Sequence, residues 1–540
     1  MDSLEPGVPV EGASDPVPSH IPSQAAELVR SASINSLGNV ASRVLGLARE
    51  AIVAGLFGVS GATSAFDAVS GVPKMVYELL VGGMLSAALV PVLAEYATKE
   101  RQAELERILS ILLTLGVVVL GSVVLFLELT APWIAPILVG GFDNSLLATA
   151  TRLTRLIVPS ILIYGISGII QAYHYARKRF VYPSLGAPAH NLGMIVAVVL
   201  LARRVSIDSL SLGVLVAAFT QLLTQLPGLK GTRIRIIFDW RNTVVRRILR
   251  LYAPVVLSVI ITNIGIIIDR NLASRTAVEA ITWMNKATFL IQLPLGLVSM
   301  AIALAVLPSL SQIDARVDLE RFKRMFSLGA RMVLVVIIPA AVGLLLLGKP
   351  IIELIFEHGA FTSADTSHSL QALRLYLIGL PFAAVDLPLV YAFYAQKDTV
   401  TPVIVGILGV VIYLAVGPLM AFVARWGYLG LVLANSAQLS GHALIMLFVF
   451  SRKFKGLRGC GLLEATCKSL AASSAVVVFG LGSYTMLQLL PIPQGFIVRF
   501  LTLTIALTLA AVAYLLLAKW LRLKEITDIL TLLKRRLGRA

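Results

Sequence analysis

The stretch SINSLGNVASRVLGLAREAIVAGLFG, residues 33–58, is apolar, long enough to cross a bilayer, and carries Arg43 and Arg49 near its middle. A guanidinium group is costly to place in hydrocarbon and does not lose its proton, so both side chains should face other protein groups or water. The stretch therefore predicts a cationic cavity inside a membrane protein, suited to handling an anion. Such a cavity is typical of a transporter.

The composition of the whole chain is that of a membrane protein. Its 540 residues are 57% hydrophobic and only 14% charged, which is too little charge to cover the surface of a soluble domain of this length. The net charge is +17, but the Lys and Arg residues gather in short segments between apolar stretches, where lipid headgroups and topology account for them. We therefore expect membrane lipids, and not nucleic acid, as partners of the basic segments.

About fourteen apolar stretches are long enough to form transmembrane helices, so the predicted fold is an all-α polytopic membrane protein. They cover residues 32–57, 68–95, 107–130, 151–176, 184–202, 207–229, 247–272, 280–308, 325–348, 369–395, 400–424, 427–451, 468–489 and 496–520. Basic residues cluster in every second loop. By the positive-inside rule, this pattern places both termini in the cytoplasm and requires an even number of spans.

An internal repeat predicts how the spans are arranged. GGMLSAALVPVLAEY (82–96) ends the second span, and SMAIALAVLPSLSQI (299–313) ends the eighth, with Pro91 and Pro308 in corresponding places. Six spans separate the two copies, and both enter the cytoplasm in the same sense. The first twelve spans therefore predict two parallel six-helix lobes, and secondary transporters commonly bind substrate at such a repeat interface.

These features predict five parts of the chain. They are a disordered cytoplasmic tail (1–24), an N-terminal six-helix lobe (25–230), a C-terminal six-helix lobe (231–455), two additional transmembrane helices (456–520) and a cytoplasmic amphipathic tail helix (521–540). The first tail is rich in Pro, Ser and acidic residues and lacks the apolar core of a signal peptide. In the last part, one helical face is apolar and is expected to lie in the membrane interface. That face carries Leu523, Ile526, Ile529, Leu530, Leu533 and Leu537.

No motif for enzymatic chemistry is present in the sequence. It contains no GxxxxGK[ST] phosphate loop, no HExxH sequence and no nucleophile elbow. Cys460 and Cys467 are predicted to be ordinary thiols, because no second cysteine pair completes a zinc site. We therefore expect no enzyme, no catalytic residue, no metal site and no cofactor, and we look for function among the intramembrane polar residues.

Arg43 and Arg49 lie six positions apart, about 240° around an ideal helix, so a straight helix would not aim both at one cavity. Gly46 between them permits a bend or local unwinding that would let both side chains reach it. As a pair they would bind phosphate or carboxylate oxygens. The alternative is a structural ion pair, for example with Glu50. Ser42 would either add a hydroxyl contact to the anion or bond to its own helix.

Lys74 and Glu78 lie one turn apart in the second span and predict an i,i+4 ion pair. The alternative is that Glu78 is the counter-ion of one of the two arginines in the first span. The sequence leaves both roles open for this carboxylate.

Three further charges lie within later spans. Asp269 ends the seventh span, where it would bind a cation or pair with Arg270. Lys286 and Asp386 are lone charges in the eighth and tenth spans and are expected to line the cavity, Asp386 as a coupling-ion or proton site.

Several strings, taken together and in order, resemble the MurJ/MviN family of lipid II flippases, which belongs to the multidrug/oligosaccharidyl-lipid/polysaccharide exporter superfamily. They are SRVLGLAREAIVAGLFG (42–58), PVLAEY (91–96), QLPGLK (225–230), IIDRNLAS (267–274), LPSLS (307–311), FEHGAFT (356–362) and AFYAQKDTVTPV (392–403). The resemblance runs from residue 32 to about residue 450, and the two extra spans also fit that family.

This resemblance implies an alternating-access fold with a cationic cavity between the lobes and a groove beside the last two spans for a polyprenyl tail. It implies a bacterial cytoplasmic-membrane flippase that moves an undecaprenyl-pyrophosphate-linked peptidoglycan precursor outward, driven by Na⁺, other ions or the membrane potential. Ser42, Arg43 and Arg49 match functional positions of the family's first helix.

The chain departs from the family's charge pattern in the second and eighth spans. Glu78 stands where the family carries an arginine, and Gly82 where it carries an acid. An arginine is missing near Phe289, and Gln292 replaces a usual acid. Lys286, one turn earlier, would supply a substitute positive charge, although an ammonium is not a bidentate fork.

Two acidic positions also differ from the family. The acid that follows the first helix is shifted from Ser64 to Asp67. Asp269 matches a family position associated with sodium, while the polar partners expected from the eleventh span are missing around Tyr413 and Gly417.

The hypothesis from the sequence is a flippase for lipid II, with the lipid-linked oligosaccharide, membrane lipids and cell-wall synthesis proteins as partners. The alternatives are a flippase for another polyprenyl-linked glycan and a scaffold of cell-wall assembly that transports nothing. The substrate-binding residues expected are Ser42, Arg43, Arg49, Glu78 and Lys286, and the ion-coupling residues expected are Asp269 and Asp386.

Overall fold

The computed structural model describes residues 21–78, 88–98, 100–457, 459–489 and 495–527, and the side chains of all these except 21–36 and 253–262. Its described residues are helical and contain no β-strand, which confirms the predicted all-α class. The predicted tail 1–24 lies outside the described residues except for its last four, which begin the first helix.

The predicted first lobe contains helices α1 to α9. These helices are α1 (Ile21–Phe57), α2 (Gly61–Val69), α3 (Gly71–Tyr77), α4 (Val90–Ala94), α5 (Gln102–Val139), α6 (Asn144–Ile157), α7 (Ser160–Ala176), α8 (Val181–Val205) and α9 (Asp208–Gln225). A short 3₁₀ turn, Leu226–Leu229, extends α9. Helices α2 to α4 form the interrupted second span, and part of that span, 79–87, lies outside the described residues.

The second lobe and the appended helices follow. The lobe comprises α10 (Thr243–Ser274), α11 (Ala280–Pro294), α12 (Met300–Ser311), α13 (Leu319–Ile355), α14 (Ser363–Ala395), α15 (Val400–Pro418) and α16 (Tyr428–Lys453). The appended helices are α17 (Leu462–Ala472), α18 (Gly482–Gln488) and α19 (Phe496–Trp520). Two π-helical segments, Leu295–Ser299 and Val476–Leu481, interrupt spans that continue as helix, and a third, Leu419–Val423, forms the end of the span that begins with α15.

Each of the fourteen predicted spans coincides with one helix or with a run of consecutive helices. Among the described residues, eleven helical segments are long and apolar enough to cross a membrane. The other three predicted spans are α1, the interrupted second span and α10. A polytopic membrane protein is therefore confirmed, while the total of fourteen stays a prediction.

By the alternation of the helices, most of the basic loops, such as 177–180, 230–242 and 312–318, lie at one end of the bundle, which we call the basic end. The other end, with loops such as 58–60, 140–143 and 356–362, is called the opposite end. At the basic end, the loop between α14 and α15 holds Asp398. Its carboxylate accepts hydrogen bonds from Lys453 and from the backbone and side chain of Thr401. Burial raises the pKa of Asp398, but these hydrogen bonds outweigh burial and bring the pKa down to about 2.

The two lobes pack tightly at the opposite end. The Ala360 N–H, between α13 and α14, donates to the Gly55 carbonyl of α1 at 2.8 Å. Gly58 follows with a φ of +57°, and a Cβ there would lie 2.3 Å from the Ala360 carbonyl oxygen. Only glycine fits both the dihedral angle and the space. Nearby, the Gly141 N–H donates to the Ser274 hydroxyl at 3.0 Å.

At the basic end the lobes instead form separate apolar cores. One core joins α4, α5 and α7 with the first turns of α10, around buried residues such as Leu105 and Ile248. The other joins α13, α14 and α16 around Phe322 and Phe450. The lobes are therefore in contact at the opposite end and have separate hydrophobic cores at the basic end. Helix α10 begins the second lobe, but its first turns pack in the core of the first lobe.

An extended segment connects the lobes along the surface of α5. The backbone N–H groups of Arg233, Arg235 and Ile237 donate to side chains spaced four residues apart on α5. The acceptors are Glu106 at 3.2 Å, Ser110 at 3.1 Å and Thr114 at 3.1 Å. Alternate N–H groups of an extended chain thus match successive turns of a helix. This arrangement satisfies donors that would otherwise be unpaired near the membrane.

The beginning of the predicted tail helix packs on protein. Leu523 and Ile526 are buried in an apolar cluster with Val335 of α13 and residues of α17 and α19. Between them, the Glu525 carboxylate pairs with Arg331 at 3.0 Å. The rest of the predicted interfacial helix, from residue 528 onward, lies outside the described residues.

Candidate functional site

The two arginines of the opening stretch lie on α1 and approach different lobes. The helix is continuous through Gly46, so the local unwinding expected there is absent. Gly46 instead provides space for Asn191 of α8, whose amide nitrogen would lie 3.7 Å from a Cβ at that position. By helix rise, Arg49 is about 12 Å and Arg43 about 21 Å from the end of α1 at Phe57.

Arg49 is held by groups of its own lobe. It donates to the Asn191 side-chain oxygen at 3.0 Å and to the Glu50 carboxylate at 2.8 Å. The Asn191 amide donates in turn to the carbonyl and the hydroxyl of Ser42, at 3.0 and 3.2 Å. Ser42 therefore positions Arg49 through Asn191, a role that the sequence did not indicate.

Glu50 links the two lobes. Its second oxygen accepts a hydrogen bond from Lys286 of α11 at 2.7 Å. The Lys286 side chain is only 5% exposed, and its ammonium lies 5.5 Å from the centre of the Phe356 ring. Asp67 of α2 interacts electrostatically with both Lys286 and Glu50. Lys286 is therefore a buried, paired cation that joins α11 to α1.

Arg43 faces the second lobe without a carboxylate partner. Its guanidinium packs against Gly296, where a Cβ would lie 2.7 Å from one of the terminal nitrogens. Gly296 belongs to the π-helical segment between α11 and α12. Among the described side chains, no acidic oxygen lies within 4.0 Å of Arg43.

Charge in this region is positive overall. Three cations, Arg49, Arg270 and Lys286, interact with two carboxylates, Glu50 and Asp67. With both carboxylates ionised, one positive charge remains in this group, and Arg43 on α1 adds another without an acidic partner among the described side chains. The side chains of Arg49 and Glu50 are 24% and 21% exposed, so neither is fully enclosed by protein.

Glu78 lies apart from this cluster. It is 4.0 Å from Lys74, and both side chains are largely exposed, at 52% and 75%. Such a pair contributes little to stability. The predicted i,i+4 contact is present in this weak form, and among the described contacts Arg49 takes Glu50 as its carboxylate.

The predicted ion-coupling residues lie in the second lobe, each with a partner. Asp269 of α10 accepts a hydrogen bond from the Tyr413 hydroxyl of α15 at 2.5 Å, whereas Arg270 donates to Asn285. Asp386 of α14 is 2.8 Å from the His442 ring nitrogen of α16. Both carboxylates line one cavity of 420 Å³.

Sequence reasoning missed Asn191, Tyr413 and His442, which are the partners of three predicted residues. A signal was available, because each is a polar side chain within an otherwise apolar span. The resemblance to a family pointed to missing partners around Tyr413, whereas the structure makes the Tyr413 hydroxyl itself the partner of Asp269.

Taken together, the fold and the site define a polytopic membrane transporter with two helical lobes and a charged cluster where the lobes meet. The chain belongs to the lipid II flippase MurJ family, whose model matches residues 53–520. This membership confirms the resemblance drawn from the sequence.

Curated relatives support the same assignment. A probable lipid II flippase MurJ of Vibrio cholerae is 29% identical over 520 residues, which cover 92% of this chain and 97% of the relative. The lipid II flippase MurJ of Burkholderia cenocepacia is 28% identical, over 78% of this chain and 82% of the relative.

Solved structures share the fold. A lipid II flippase MurJ in an inward closed conformation aligns with a TM-score of 0.72 at 22% identity, over 90% of this chain and 99% of that chain. An inward-facing multidrug resistance transporter of the MATE family aligns with a TM-score of 0.67 at 12% identity, over 77% of this chain and 95% of that chain. At these identities the likeness concerns the fold.

Proposed function

We propose that this protein is a flippase that moves lipid II, an undecaprenyl-pyrophosphate-linked peptidoglycan precursor, from the inner to the outer leaflet by alternating access. Membership of the MurJ family and its curated relatives, which are named as lipid II flippases, support this function. The observation that carries it is Arg43, a guanidinium between the lobes with no described carboxylate partner. A pyrophosphate would supply the anion that this group lacks.

Arg43 would be the first anchor of the pyrophosphate. Its fork of N–H donors matches phosphate oxygens, and it reaches the π-helical segment of the second lobe from α1. Because the group bridges the lobes, a bound anion would contact both of them at once. The polyprenyl tail would stay in lipid while the charged headgroup crosses.

Arg49 and Lys286 would take part by exchanging partners. Both are held by Glu50 at 2.8 and 2.7 Å, so a pyrophosphate must compete with that carboxylate for each cation. Competition for Lys286 would break an ion pair between α1 and α11, that is, between the lobes. Substrate binding would thereby loosen the contact at the opposite end, which must separate before the headgroup can leave.

We assign ion coupling to Asp269 and Asp386, with the membrane potential or an ion gradient as the driving force. We place the protein in the bacterial inner membrane with both termini in the cytoplasm, where the basic end would meet anionic headgroups. Cell-wall synthesis proteins are the expected protein partners.

A reconstituted flux assay tests the function. Vesicles carrying labelled lipid II would be assayed for its appearance in the outer leaflet with wild-type protein, Arg43→Ala and Arg49→Ala. Loss of a charge-assisted, bidentate contact of about 1.5–3 kcal/mol predicts a flux reduced roughly 10- to 100-fold. The matched control is Arg204→Ala, an exposed arginine at the end of α8, which should leave flux unchanged.

Two results would remove the proposal. Undiminished flux in both Arg43→Ala and Arg49→Ala would exclude the assigned roles, and no flux in the wild type would favour the scaffold alternative. Competition with another polyprenyl-pyrophosphate-linked glycan separates the substrates, because the same cations would serve any pyrophosphate. Preference for the other glycan would replace lipid II as the cargo.

A further inference from the structure

The cavity inside the second lobe is separate from the arginine cluster and carries its own titratable groups. It has a volume of 420 Å³ and lies between α10, α14, α15 and α16. No lysine or arginine lines it among the described residues. Its polar lining consists of Asp269, Asp386, Tyr394, Tyr413, Asn435, Gln438 and His442.

The Asp386–His442 pair lies deep in the bundle and yet keeps part of its surface exposed at the cavity wall. Asp386 is about 14 Å along α14 from its basic end, within the depth of a hydrocarbon core of about 30 Å. The two side chains nevertheless keep 23% and 17% of their exposure. Charged groups at this depth normally face a water-filled space and mark an ion or proton pathway.

Polar groups continue from this pair toward the opposite end. Asn435, Gln438 and His442 lie three and four residues apart on α16, so they share the helix face that lines the cavity. At the far end, the Tyr413 hydroxyl donates to Asp269, which is about 8 Å from the end of α10. A row of side chains that can form hydrogen bonds thus extends through much of the second lobe.

The arrangement fits a proton better than a metal cation. Hard cations require several converging oxygen ligands. Here each carboxylate already contacts a hydroxyl donor or an imidazole, and the described residues contain no group of three or more His, Cys, Asp or Glu side chains that could hold a metal ion. Histidine is the side chain whose charge ordinarily changes between about pH 5 and 8.

We propose that the Asp386–His442 pair is a proton-binding site that couples a proton gradient to the transport cycle. In the loaded state the imidazole nitrogen holds the proton, giving an imidazolium beside a carboxylate. Release to the other side breaks that N–H bond and restores the neutral imidazole. The groups that face the pair from the surrounding helices are Asp269, Tyr394 and Tyr413. The coupling, although not the site, rests on the proposed function.

A structural route connects this site to the lobes. Helix α10 lines the cavity at Gly265, Ile266 and Asp269, while its first turns, at Val245 and Ile248, belong to the core of the first lobe. A change of charge in the cavity therefore acts on a helix whose first turns pack in the core of the first lobe. Protonation would bias the angle between the lobes through α10.

Flux under controlled gradients tests the coupling. Proteoliposomes would carry a pH gradient or a sodium gradient, with the membrane potential clamped, for the wild type, His442→Gln and Asp386→Asn. One coupled proton predicts that each pH unit changes the transbilayer distribution of lipid about tenfold, with no effect of sodium. Both variants should lose this stimulation.

A control variant and a second measurement distinguish failure of the proton site from failure of the transport function. His368→Gln removes a histidine on the same helix as Asp386, outside the cavity and hydrogen-bonded to Tyr428, and should keep the stimulation. Proton uptake by purified protein after a pH jump needs no lipid, and His442→Gln should take up about one proton fewer. Three results would overturn the proton site. They are proton uptake by His442→Gln equal to that of the wild type, full stimulation of lipid flux by the pH gradient in the two variants, and a sodium-driven flux that Asp386→Asn abolishes. Absence of flux with normal uptake would overturn only the transport function.

Discussion

Replacing Lys286 by methionine should weaken the closure of the lobes at the opposite end. The Lys286 ammonium is 2.7 Å from Glu50, and the exposed fractions of the two side chains are 5% and 21%. Breaking a buried ion pair by removing one partner costs about 3–5 kcal/mol. Glu50 keeps its 2.8 Å contact with Arg49, so the loss expected here is that of one charged hydrogen bond, about 2 kcal/mol.

A loss of about 2 kcal/mol changes the ratio of open to closed molecules roughly 30-fold. Spin labels at Ser145 and Ser363 report this ratio as a distance distribution, because both positions are exposed at the opposite end and lie on different lobes. The free thiols Cys460 and Cys467 would first be replaced by serine. Lys286→Met should populate a longer distance that is nearly absent in the wild type.

A double-mutant cycle isolates the ion pair from other effects. Glu50→Gln and Lys286→Met together should cost about 2 kcal/mol less than the sum of the single changes. Lys349→Met is the matched control, since Lys349 is 63% exposed and lies 3.6 Å from Glu353 within one helix. That surface change should shift the ratio by no more than about 0.5 kcal/mol. Additive single changes, or a Lys286→Met distribution identical to the wild type, would refute the inter-lobe role.

Three further changes test separate parts of the structure. Gly296→Ala would place a methyl group within 2.7 Å of the Arg43 guanidinium and displace it, so lipid flux should fall several-fold while thermal stability holds. Ser110→Ala removes the acceptor of the linker segment and should lower stability by about 1 kcal/mol in thermal unfolding, whereas Ser122→Ala, whose hydroxyl bonds only to its own helix, should not. In the folded protein the pKa of Asp398 is lowered to about 2, so this carboxylate stabilises the fold fully above its unfolded pKa of about 4, and the stabilisation is lost as the pH falls toward 2. Asp398→Asn should therefore reduce the loss of unfolding free energy between about pH 4 and pH 2, measured by unfolding at a series of pH values.

Much of the fold could be predicted from the sequence because membrane insertion depends on local properties. A run of apolar residues of sufficient length specifies a helix, and the charges of the flanking loops specify its expected direction. The predicted spans 369–395 and 496–520 accordingly coincide with α14 and α19 to within six residues at either end. Intramembrane charges such as Arg49 and Asp386 could be identified for the same reason, since each is conspicuous within its own apolar stretch.

The partners of those charges could not be predicted, because hydrogen bonds and ion pairs between helices depend on distances that are not local in the chain. Glu50 and Lys286 are 236 positions apart, Arg49 and Asn191 are 142 apart, and His442 and Asp386 are 56 apart. Which of several polar side chains meet is decided by how the helices pack and rotate, and a rotation of one residue, about 100°, changes the partner.

The sequence by itself therefore determined that this chain is an all-helical membrane protein with cationic groups in its first span, because hydrocarbon imposes length and charge rules on each segment separately. Only the tertiary structure decided which cation has no carboxylate partner among the described side chains. It ties Arg49 and Lys286 to Glu50 and leaves Arg43 against Gly296, because a carboxylate satisfies the cations that packing brings within hydrogen-bond reach.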